Sequence, residues 1–337
     1  MFGPLRQADW LARRLTAMPD SLVFHARDKL AVSLQAGRFK LLTALAAHAA
    51  AQGWPVEVAE LTAAGQDAAL ACPRHLHIFM GDRPVYAPNV FHCVPGYLHG
   101  YWYFDEIGSR NNSLARLSRF DPRPMGMDFA RTHHDRLVAR FVTANRSKFP
   151  QAARGADLAK GSLAFFAQDF KPPRHHLHHL GVPQMIEAAI AARGARVLYI
   201  KPHPNNTLDE VDHLARYHDP GRGVEVTSAS VHDLLAACDC ALTVTSAVGF
   251  EAFLHRKPVV LGGQTDFWQN AVTLTDAARM PAALAAATGR HWPHEKFLVW
   301  FLRQHCVADT AQALPGVLDR IARKGFGWAG SGMYAPD

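Results

Sequence analysis

Residues 240–261 read CALTVTSAVGFEAFLHRKPVVL. A short apolar run typical of a strand (240–245) is followed by a helical segment (249–256) and by a second apolar strand (258–261). A strand, a helix and another strand in succession form the unit from which parallel sheets are built. This segment therefore predicts a parallel α/β sheet, and the carboxyl ends of its strands are where such sheets bind ligands.

The same alternation of strands and helices occurs earlier in the sequence, in two series. The first series is predicted as strands at 19–24, 54–58 and 75–80 with a helix at 38–52. The second is predicted as strands at 162–167, 196–200 and 224–227 with helices at 183–193, 208–217 and 230–237, and it leads into residues 240–261. The predicted fold class is therefore α/β, with two Rossmann-like domains and a ligand cleft between them.

A polar stretch at 150–161 (PQAARGADLAKG) is typical of a linker. It places the predicted domain boundary near residue 155, so that the two Rossmann-like domains comprise residues 1–155 and 156–294. The remaining residues, 295–337, are predicted as a helical segment that packs back on the N-terminal domain.

The chain of 337 residues has 36 Lys and Arg against 29 Asp and Glu, a formal net charge of +7. This balance suits an anionic substrate, a nucleotide or an acidic lipid surface. The sequence has no zinc-finger, helix-turn-helix or ribonucleoprotein motif, so nucleic acid is not expected as a partner. It also lacks a signal-peptide pattern and an apolar stretch of the roughly 18 residues that span a bilayer. We therefore expect a cytoplasmic protein.

The motif Lys201-Pro202-His203-Pro204 directly follows the apolar strand VLYI. The prolines restrict the backbone on both sides of His203, and a lysine and an imidazole at a strand end can neutralise a phosphate. A surface turn with a solvated lysine explains the same residues equally well. The motif alone leaves both interpretations open.

A helix start directly follows a strand at residues 243–252 (TVTSAVGFEA). Ser246 is a candidate N-cap and Gly249 lies in the first turn, where free N–H groups and the helix dipole favour an anion. Glu251 lies in the same turn and can accept hydrogen bonds from a ribose diol. The alternative is a well-capped helix with an acidic first turn. The sequence contains no Walker loop.

Together, KPHP (201–204) and TVTSAVGFEAFLHRKPVVLGGQTDFW (243–268) resemble the capsule polysaccharide biosynthesis family of β-Kdo transferases. In that family a strand leads to K-x-H-P, and S-x-x-G-F-E-A-L-x-x-x-K-P-V follows later. Residues 96–113 (GYLHGYWYFDEIGSRNNS) also resemble the family segment GYLRPDWITLE-x-GG-x-N-x-x-S. The resemblance covers about residues 90–270 and preserves the spacing of the motifs.

The resemblance implies a GT-B-like glycosyltransferase. Such an enzyme moves Kdo, or a related ulosonic acid, from its CMP ester to a lipid or glycan acceptor. It implies acceptor groups mainly in residues 1–155 and the donor nucleotide on residues 156–294. The family residues that match at the donor are Lys201, His203, Ser246, Gly249 and Glu251. Glu106 matches the acidic end of the TLE element, a candidate acid/base for the acceptor hydroxyl, and Asn111 matches the asparagine of the same segment.

The chain departs from the family pattern at two places. In the GYL segment, His99 replaces the arginine that follows GYL, and Phe104 and Asp105 replace the threonine and leucine before the glutamate. The family's L-x-x-Q-x-x-x-D element, whose aspartate is the proposed nucleophile of a retaining transfer, corresponds to LAFFAQDFKPP, where Gln168 and Asp169 are adjacent. Gln168 is a candidate substrate-binding residue and Asp169 a candidate catalytic residue, with a capping or turn aspartate as the alternative.

The histidines of RHHLHH (174–179) have a spacing that places pairs of them on one helix face, as in some metal sites. No acidic or cysteine residue is near them in the sequence, and a CMP-sugar carries one phosphate. We therefore predict an electropositive wall facing an anionic substrate, with no metal and no cofactor besides the CMP-sugar co-substrate. The five cysteines contain no C-x-x-C pair and are expected to be buried thiols. The aromatic residues of 97–104 fit either sugar stacking or core packing.

These observations predict a glycosyltransferase of capsule or surface polysaccharide synthesis, with a nucleotide-sugar donor and a lipid-linked or oligosaccharide acceptor. The basic charge is compatible with peripheral contact with the anionic inner membrane or with capsule assembly proteins. One alternative is another enzyme of this architecture, a nucleotide-sugar 2-epimerase or a polyol-phosphate transferase. The other is a non-catalytic partner of a capsule assembly complex, which the altered GYL segment and the displaced aspartate favour.

Overall fold

The computed structural model describes residues 21–71, 74–168, 170 and 177–326. These residues form two compact units, each with a sheet of parallel strands. The first unit comprises the described residues within 1–96, 100–114 and 303–337, and the second those within 97–99 and 115–302. The predicted α/β fold class with parallel sheets is confirmed.

The secondary structure follows the predicted alternation, with element ends that differ by a few residues. The strands are β1 (Ser21–Ala26), β2 (Val56–Glu60), β3 (His75–Phe79), β4 (Val90–His92), β5 (Tyr101–Tyr103), β6 (Ser162–Phe166), β7 (Leu198–Lys201), β8 (Val224–Val226), β9 (Cys238–Thr243), β10 (Val259–Leu261), β11 (Val272–Thr273) and β12 (Cys306–Ala308). The α-helices are α1 (Asp28–Gln35), α2 (Lys40–Ala51), α3 (Ala63–Leu70), α4 (Leu114–Leu117), α5 (Met127–Leu137), α6 (Val182–Ala192), α7 (Leu208–Ala215), α8 (Val231–Ala237), α9 (Val248–Glu251), α10 (Met280–Thr288), α11 (His294–Trp300) and α12 (Leu314–Arg323).

The first unit is built on a sheet in the order β2-β1-β3-β4, with all neighbours parallel. Helix α2 buries Leu41, Leu45 and Ala49, which are spaced by four and share one helix face. The chain then reverses at Gly53, whose φ of 80° lies in the left-handed region that favours glycine. The apolar periodicity of residues 38–52 therefore corresponds to a core-facing helix.

The C-terminal segment is not helical throughout, which corrects the prediction for residues 295–337. Between α11 and α12 the chain forms β12, which pairs antiparallel with β5. Val307 of this strand is buried in the core of the first unit, together with Val317 and Ile321 of α12. The strand is three residues long and no glycine or proline separates it from α11, so the sequence carries no signal for it.

The boundaries of the two units differ from the predicted domain boundaries. Residues 115–155, predicted as part of the N-terminal domain, group with the second unit. One reason is that α5 packs against α11 within that unit. Another is that the predicted linker is held there, because Arg154 forms an ion pair with Asp233 and the Gly155 N–H donates to the same carboxylate at 2.9 Å.

The second unit contains the sheet β11-β10-β9-β6-β7-β8, with all neighbours parallel. The central strand β6 is buried along its whole length and lies between β7 and β9. Its Leu163 and Phe165 pack with Ile186 of α6 and Leu284 of α10 in the core of this unit. The carboxyl ends of β7, β6, β9 and β10 consequently meet at one edge of the sheet. Among the described residues, no helix has both the length and the apolar character needed to cross a bilayer.

Candidate functional site

Gln168 joins the carboxyl ends of two neighbouring strands in the second unit. It lies just after β6, and its Oε1 accepts a hydrogen bond from the Thr245 N–H at 2.9 Å. Its Nε2 donates to Oγ1 of the same threonine at 3.0 Å. The structure therefore brings Gln168 to the TVTS segment after β9, directly before the predicted Ser246. Asp169, the predicted nucleophile, lies outside the described residues.

His203 is held in place by the loop that follows β7. The Asn206 side chain accepts the His203 N–H at 2.6 Å and donates to the Gln168 carbonyl oxygen at 3.1 Å. The Asn205 N–H donates to Nδ1 of His203 at 3.1 Å. Because Nδ1 accepts a hydrogen bond, the neutral imidazole carries its proton on Nε2. The ring edge also contacts Phe149, with ring centroids 5.1 Å apart. The Asn205 contact thus sets the tautomer of His203 at this edge of the sheet.

Asn206 is positioned by Glu210, a residue that the sequence analysis did not single out. Glu210 accepts hydrogen bonds from the Asn206 side chain at 3.0 Å, from the Thr207 N–H at 2.9 Å and from the Phe170 N–H at 2.6 Å. Desolvation alone would raise the pKa of Glu210, but these hydrogen bonds lower it below its usual range. Thr207 and Glu210 form a capping box at the start of α7, a pattern that was readable in the sequence as T-L-D-E.

The Lys201 ammonium group binds backbone carbonyl oxygens, which is not the contact expected of a residue that binds a phosphate. Its Nζ donates to the carbonyl oxygens of Ser228 and Ala229, at 3.1 and 2.7 Å. Burial lowers the pKa of this ammonium group from its usual value. The lysine therefore stabilises the loop after β8, and its role at a donor phosphate stays a prediction.

Ser246 and Gly249 lie at the start of α9. The Ser246 N–H donates to Oγ1 of Thr243 at 3.2 Å, and the Ser246 Oγ accepts from the Val248 N–H at 3.3 Å. The N-cap residue is Ala247 rather than Ser246. Ser246 thus stabilises the first turn of the helix from the position before the N-cap. It directly follows Thr245, the residue that Gln168 contacts.

Gly249 allows α9 to approach the loop after β10. A Cβ at this position would lie 3.3 Å from two ring carbons of Phe267 and from Cγ2 of Thr243. Both neighbours are fully buried. The glycine therefore favours close packing here, whatever its relation to a nucleotide.

Replacing Gly249 by Ala is expected to destabilise the protein by about 1 kcal/mol. Overpacking costs about 1 to 3 kcal/mol, and the higher helix propensity of alanine offsets up to about 1 kcal/mol of that cost. Urea unfolding measures the difference. The matched control is Gly316→Ala in α12, where a Cβ meets no atom within 4 Å, so this variant is expected to gain stability. A stabilised Gly249→Ala variant would contradict the packing argument.

Glu251 is buried, so its carboxyl is not positioned to contact a ribose that binds at the protein surface. Its side chain is 2% exposed, and its Oε1 accepts the Ser147 hydroxyl proton at 2.7 Å. Within the described part of the chain, its Oε2 has no hydrogen-bond partner. Burial raises the pKa of this carboxyl to about 7, against the opposing effects of Ser147 and Lys148. The structure therefore places a partly protonated acid behind the helix start.

The described part of the histidine segment 174–179 reaches the same edge of the sheet. A Cβ on Gly263 would lie 2.8 Å from the Leu177 carbonyl oxygen, so the glycine permits this close approach. The Nε2 of His178 lies 3.3 Å from Oγ1 of Thr245, the threonine that Gln168 contacts. Among the residues described, no group of three or more His, Cys, Asp or Glu side chains is placed to hold a metal ion. His175 lies outside the described residues.

The aromatic residues of 97–104 are mainly core residues. The Tyr97 hydroxyl donates to Oδ1 of Asp266 at 2.7 Å, and Asp266 is fully buried. The Tyr97 ring packs on Phe250 and Phe267, with ring centroids 5.3 and 5.1 Å away. These contacts favour the core-packing alternative for Tyr97, and they place Asp266 inside the fold.

Glu106 and Asn111 lie in the first unit, in the loop after β5. The neighbouring Asp105 is buried and organises this loop, because its carboxylate accepts the N–H groups of Ile107 and Leu114, both at 2.8 Å. Burial raises the pKa of Asp105, although these hydrogen bonds oppose the rise. Glu106 and Asn111 are half-buried. Their roles toward an acceptor stay predictions.

Comparisons with known proteins agree with this geometry. A family model described as capsule polysaccharide biosynthesis protein matches residues 178–291. Among solved structures, the chain is similar to the Thermosulfurimonas dismutans KpsC beta Kdo 2,7 transferase, with 13% identity, a TM-score of 0.54 and coverage of 90% of this chain and 99% of that chain. It is also similar to the T. dismutans KpsC beta Kdo 2,4 transferase, with 15% identity, a TM-score of 0.51 and coverage of 90% and 98%. At such identities, the likeness shows a shared fold. Curated proteins give no significant match.

The matched residues include most of the site described above. The interval 178–291 contains the loop of His203 and the segment from Thr245 to Glu251. The resemblance predicted from KPHP and from the GFEA segment is thereby confirmed. Residues 178–291 of this chain thus match the model of the capsule polysaccharide biosynthesis protein family.

Proposed function

We propose that the chain is a glycosyltransferase that transfers Kdo, or a related ulosonic acid, from a CMP-activated donor to a lipid or glycan acceptor. This reaction would serve capsule or surface polysaccharide synthesis. The family match over residues 178–291 and the fold shared with two β-Kdo transferases support the proposal. The donor binds at the carboxyl edge of the sheet in the second unit.

The observation that carries the proposal is the hydrogen-bonded connection from Thr245 through Gln168 and Asn206 to His203. It ties the ends of β9, β6 and β7 into one rigid surface. That surface presents an N–H donor, the Nε2 of His203. A preorganised donor of this kind stabilises negative charge without reorganising during the reaction.

In the proposed mechanism, His203 donates from Nε2 to a phosphate oxygen of the donor while CMP departs. Stabilisation of developing charge is commonly the largest contribution to such catalysis. Asp169 attacks the anomeric carbon as its bond to CMP breaks, or stabilises the positive charge that develops there. The acceptor oxygen then forms the new glycosidic bond, and Glu106 takes up the proton of the acceptor hydroxyl. Lys201 reaches the phosphate only by giving up the carbonyl oxygens of Ser228 and Ala229.

The donor is tested by thermal unfolding with CMP-Kdo, UDP-sugars and CDP-glycerol in parallel, followed by product analysis with glycan acceptors. CMP-Kdo is expected to raise the stability by about 2.7 kcal/mol at a hundredfold excess over its dissociation constant. The other nucleotides are expected to have little effect.

Stabilisation by UDP-sugars or CDP-glycerol in place of CMP-Kdo would replace the donor assignment with the epimerase or polyol-phosphate alternative. Stabilisation by CMP-Kdo without product, across a range of acceptors, would favour a non-catalytic partner of capsule assembly.

A further inference from the structure

A cavity of about 500 Å³ lies in the second unit, away from the proposed donor site. Three of its lining residues mark the starts of strands: Arg196 precedes β7, Asp239 lies at the start of β9 and Pro258 precedes β10. In a parallel sheet all strand starts lie at one edge and all strand ends at the other. The cavity therefore lies at the edge of the sheet opposite to His203.

Three arginines line this cavity, and two of them are already engaged. The Nε of Arg256 binds Oε1 of Glu295 at 2.7 Å, and the Nε of Arg196 donates to the Arg193 carbonyl oxygen at 2.9 Å. Within the described residues, Arg290 forms neither an ion pair nor a hydrogen bond. Its charge is thus available to a ligand.

Arg290 is held by a tryptophan rather than by an acid. Its guanidinium carbon lies 3.3 Å from the centroid of the Trp292 ring, a distance at which the guanidinium plane must lie nearly flat on the ring. The tryptophan is 5% exposed, and its Nε1 donates to the Ala287 carbonyl oxygen at 2.8 Å. This stack holds the cation against the ring, and its N–H groups, which lie in the guanidinium plane, have no acceptor among the residues that the structure describes. A preorganised donor set of this kind suits a carboxylate or a phosphate.

The other lining residues indicate which groups the ligand carries besides its anionic group. Asp239 and Glu295 place carboxylates in the same cavity, and Thr288 adds a hydroxyl. Carboxylates repel a bare anion but accept hydrogen bonds from hydroxyl groups. The volume lies within the range of about 300 to 1,000 Å³ that small-molecule sites occupy.

We propose that this cavity is a second binding site, for an anionic saccharide. Arg290 contacts the carboxylate or phosphate of the ligand, and Asp239 and Thr288 contact its hydroxyl groups. The site is separate from the donor site, so it holds its ligand while a nucleotide is bound at the opposite edge of the sheet.

The test measures the binding of glucuronate, glucose 6-phosphate and glucose to the full chain by ligand-observed NMR titration. At least one charged sugar is expected to bind about tenfold or more tightly than glucose, and the identity of that sugar distinguishes a carboxylate ligand from a phosphate ligand. The variant Arg290→Gln is expected to weaken this binding by roughly tenfold, the loss of a charge-assisted hydrogen bond.

The matched control is Arg222→Gln, because the Arg222 side chain is 85% exposed and lies outside the cavity lining. Arg222→Gln and His203→Ala are expected to bind the charged sugar with wild-type affinity. The wild-type protein saturated with CMP is expected to bind it equally well. Unchanged thermal unfolding of Arg290→Gln verifies its fold. Equal binding of glucose and the charged sugars, wild-type affinity in Arg290→Gln, or competition by CMP would each overturn the proposal.

Discussion

Replacing His203 by alanine is expected to lower the turnover number for transfer by about a hundred- to a thousandfold. The variant loses the Nε2 donor whose tautomer the Asn205 N–H sets through Nδ1, and which contacts the donor phosphate in the proposed function. Loss of one preorganised donor to a developing charge typically costs this much. Product formation at saturating CMP-Kdo measures the effect, and thermal unfolding is expected to change little.

The control for this variant is His213→Ala. His213 lies on α7, and its ring packs edge-on against Phe170 and Tyr217, much as His203 packs against Phe149. Its removal takes away a similar aromatic contact without touching the strand ends. Near-normal turnover in a folded His203→Ala variant would remove this histidine from the donor site.

Replacing Glu251 by glutamine is expected to remove one pH-dependent contribution to the stability of the protein. In the folded protein the pKa of this carboxyl is raised to about 7 by burial. Between its ordinary pKa near 4.5 and this value, the folded state keeps a proton that the unfolded chain has lost. The contribution of Glu251 to the stability of the wild type therefore falls as pH rises through this interval, by roughly 3 kcal/mol in total.

Glutamine carries no charge at any pH, so the variant does not lose this stability as pH rises. The free energy of unfolding of Glu251→Gln minus that of the wild type is expected to rise by roughly 2 to 3 kcal/mol from pH 5 to pH 8. The cost of an unmet amide hydrogen bond is constant with pH and cancels in this comparison.

Glu210→Gln is the control for the pH dependence. The pKa of Glu210 is lowered below its usual value, so this carboxyl is ionised in both the folded and the unfolded states from pH 5 to pH 8. The free energy of unfolding of Glu210→Gln minus that of the wild type is expected to stay constant over that interval. A flat difference for Glu251→Gln as well would show that Glu251 is ionised in the folded protein.

Local patterns were sufficient to predict much of the fold. The strand and helix segments around residues 196–261 follow from apolar runs and glycine breaks that act within a few residues of each other. Because the strands are parallel, the ends of β7 and β9 necessarily share an edge, which is why His203 and Ser246 were expected at one site. The capping box of Thr207 and Glu210 was equally readable.

Other features depend on contacts between distant parts of the chain. The pairing of Gln168 with Thr245 joins residues 77 positions apart, and that of Ser147 with Glu251 joins residues 104 positions apart. A carboxylate in the first turn of a helix is exposed in most sequences. Only the packing of the segment around Ser147 makes Glu251 a buried acid, so the sequence indicated a solvent-facing ribose ligand instead. The strand β12 was missed for the same reason, because its partner β5 lies about two hundred residues earlier in the numbering.

The order of synthesis has consequences for the first unit. Val307 and Ile321 complete a hydrophobic core that otherwise consists of residues such as Leu22, Leu45 and Trp54 from the start of the chain. On the ribosome these residues emerge after the second unit, so the strands β1 to β4 keep apolar surface uncovered until residues 303–326 have been synthesised. The second unit runs almost continuously from 115 to 302 and can close its core sooner. Expression of residues 21–114 without residues 303–326 is therefore expected to yield an aggregation-prone fragment.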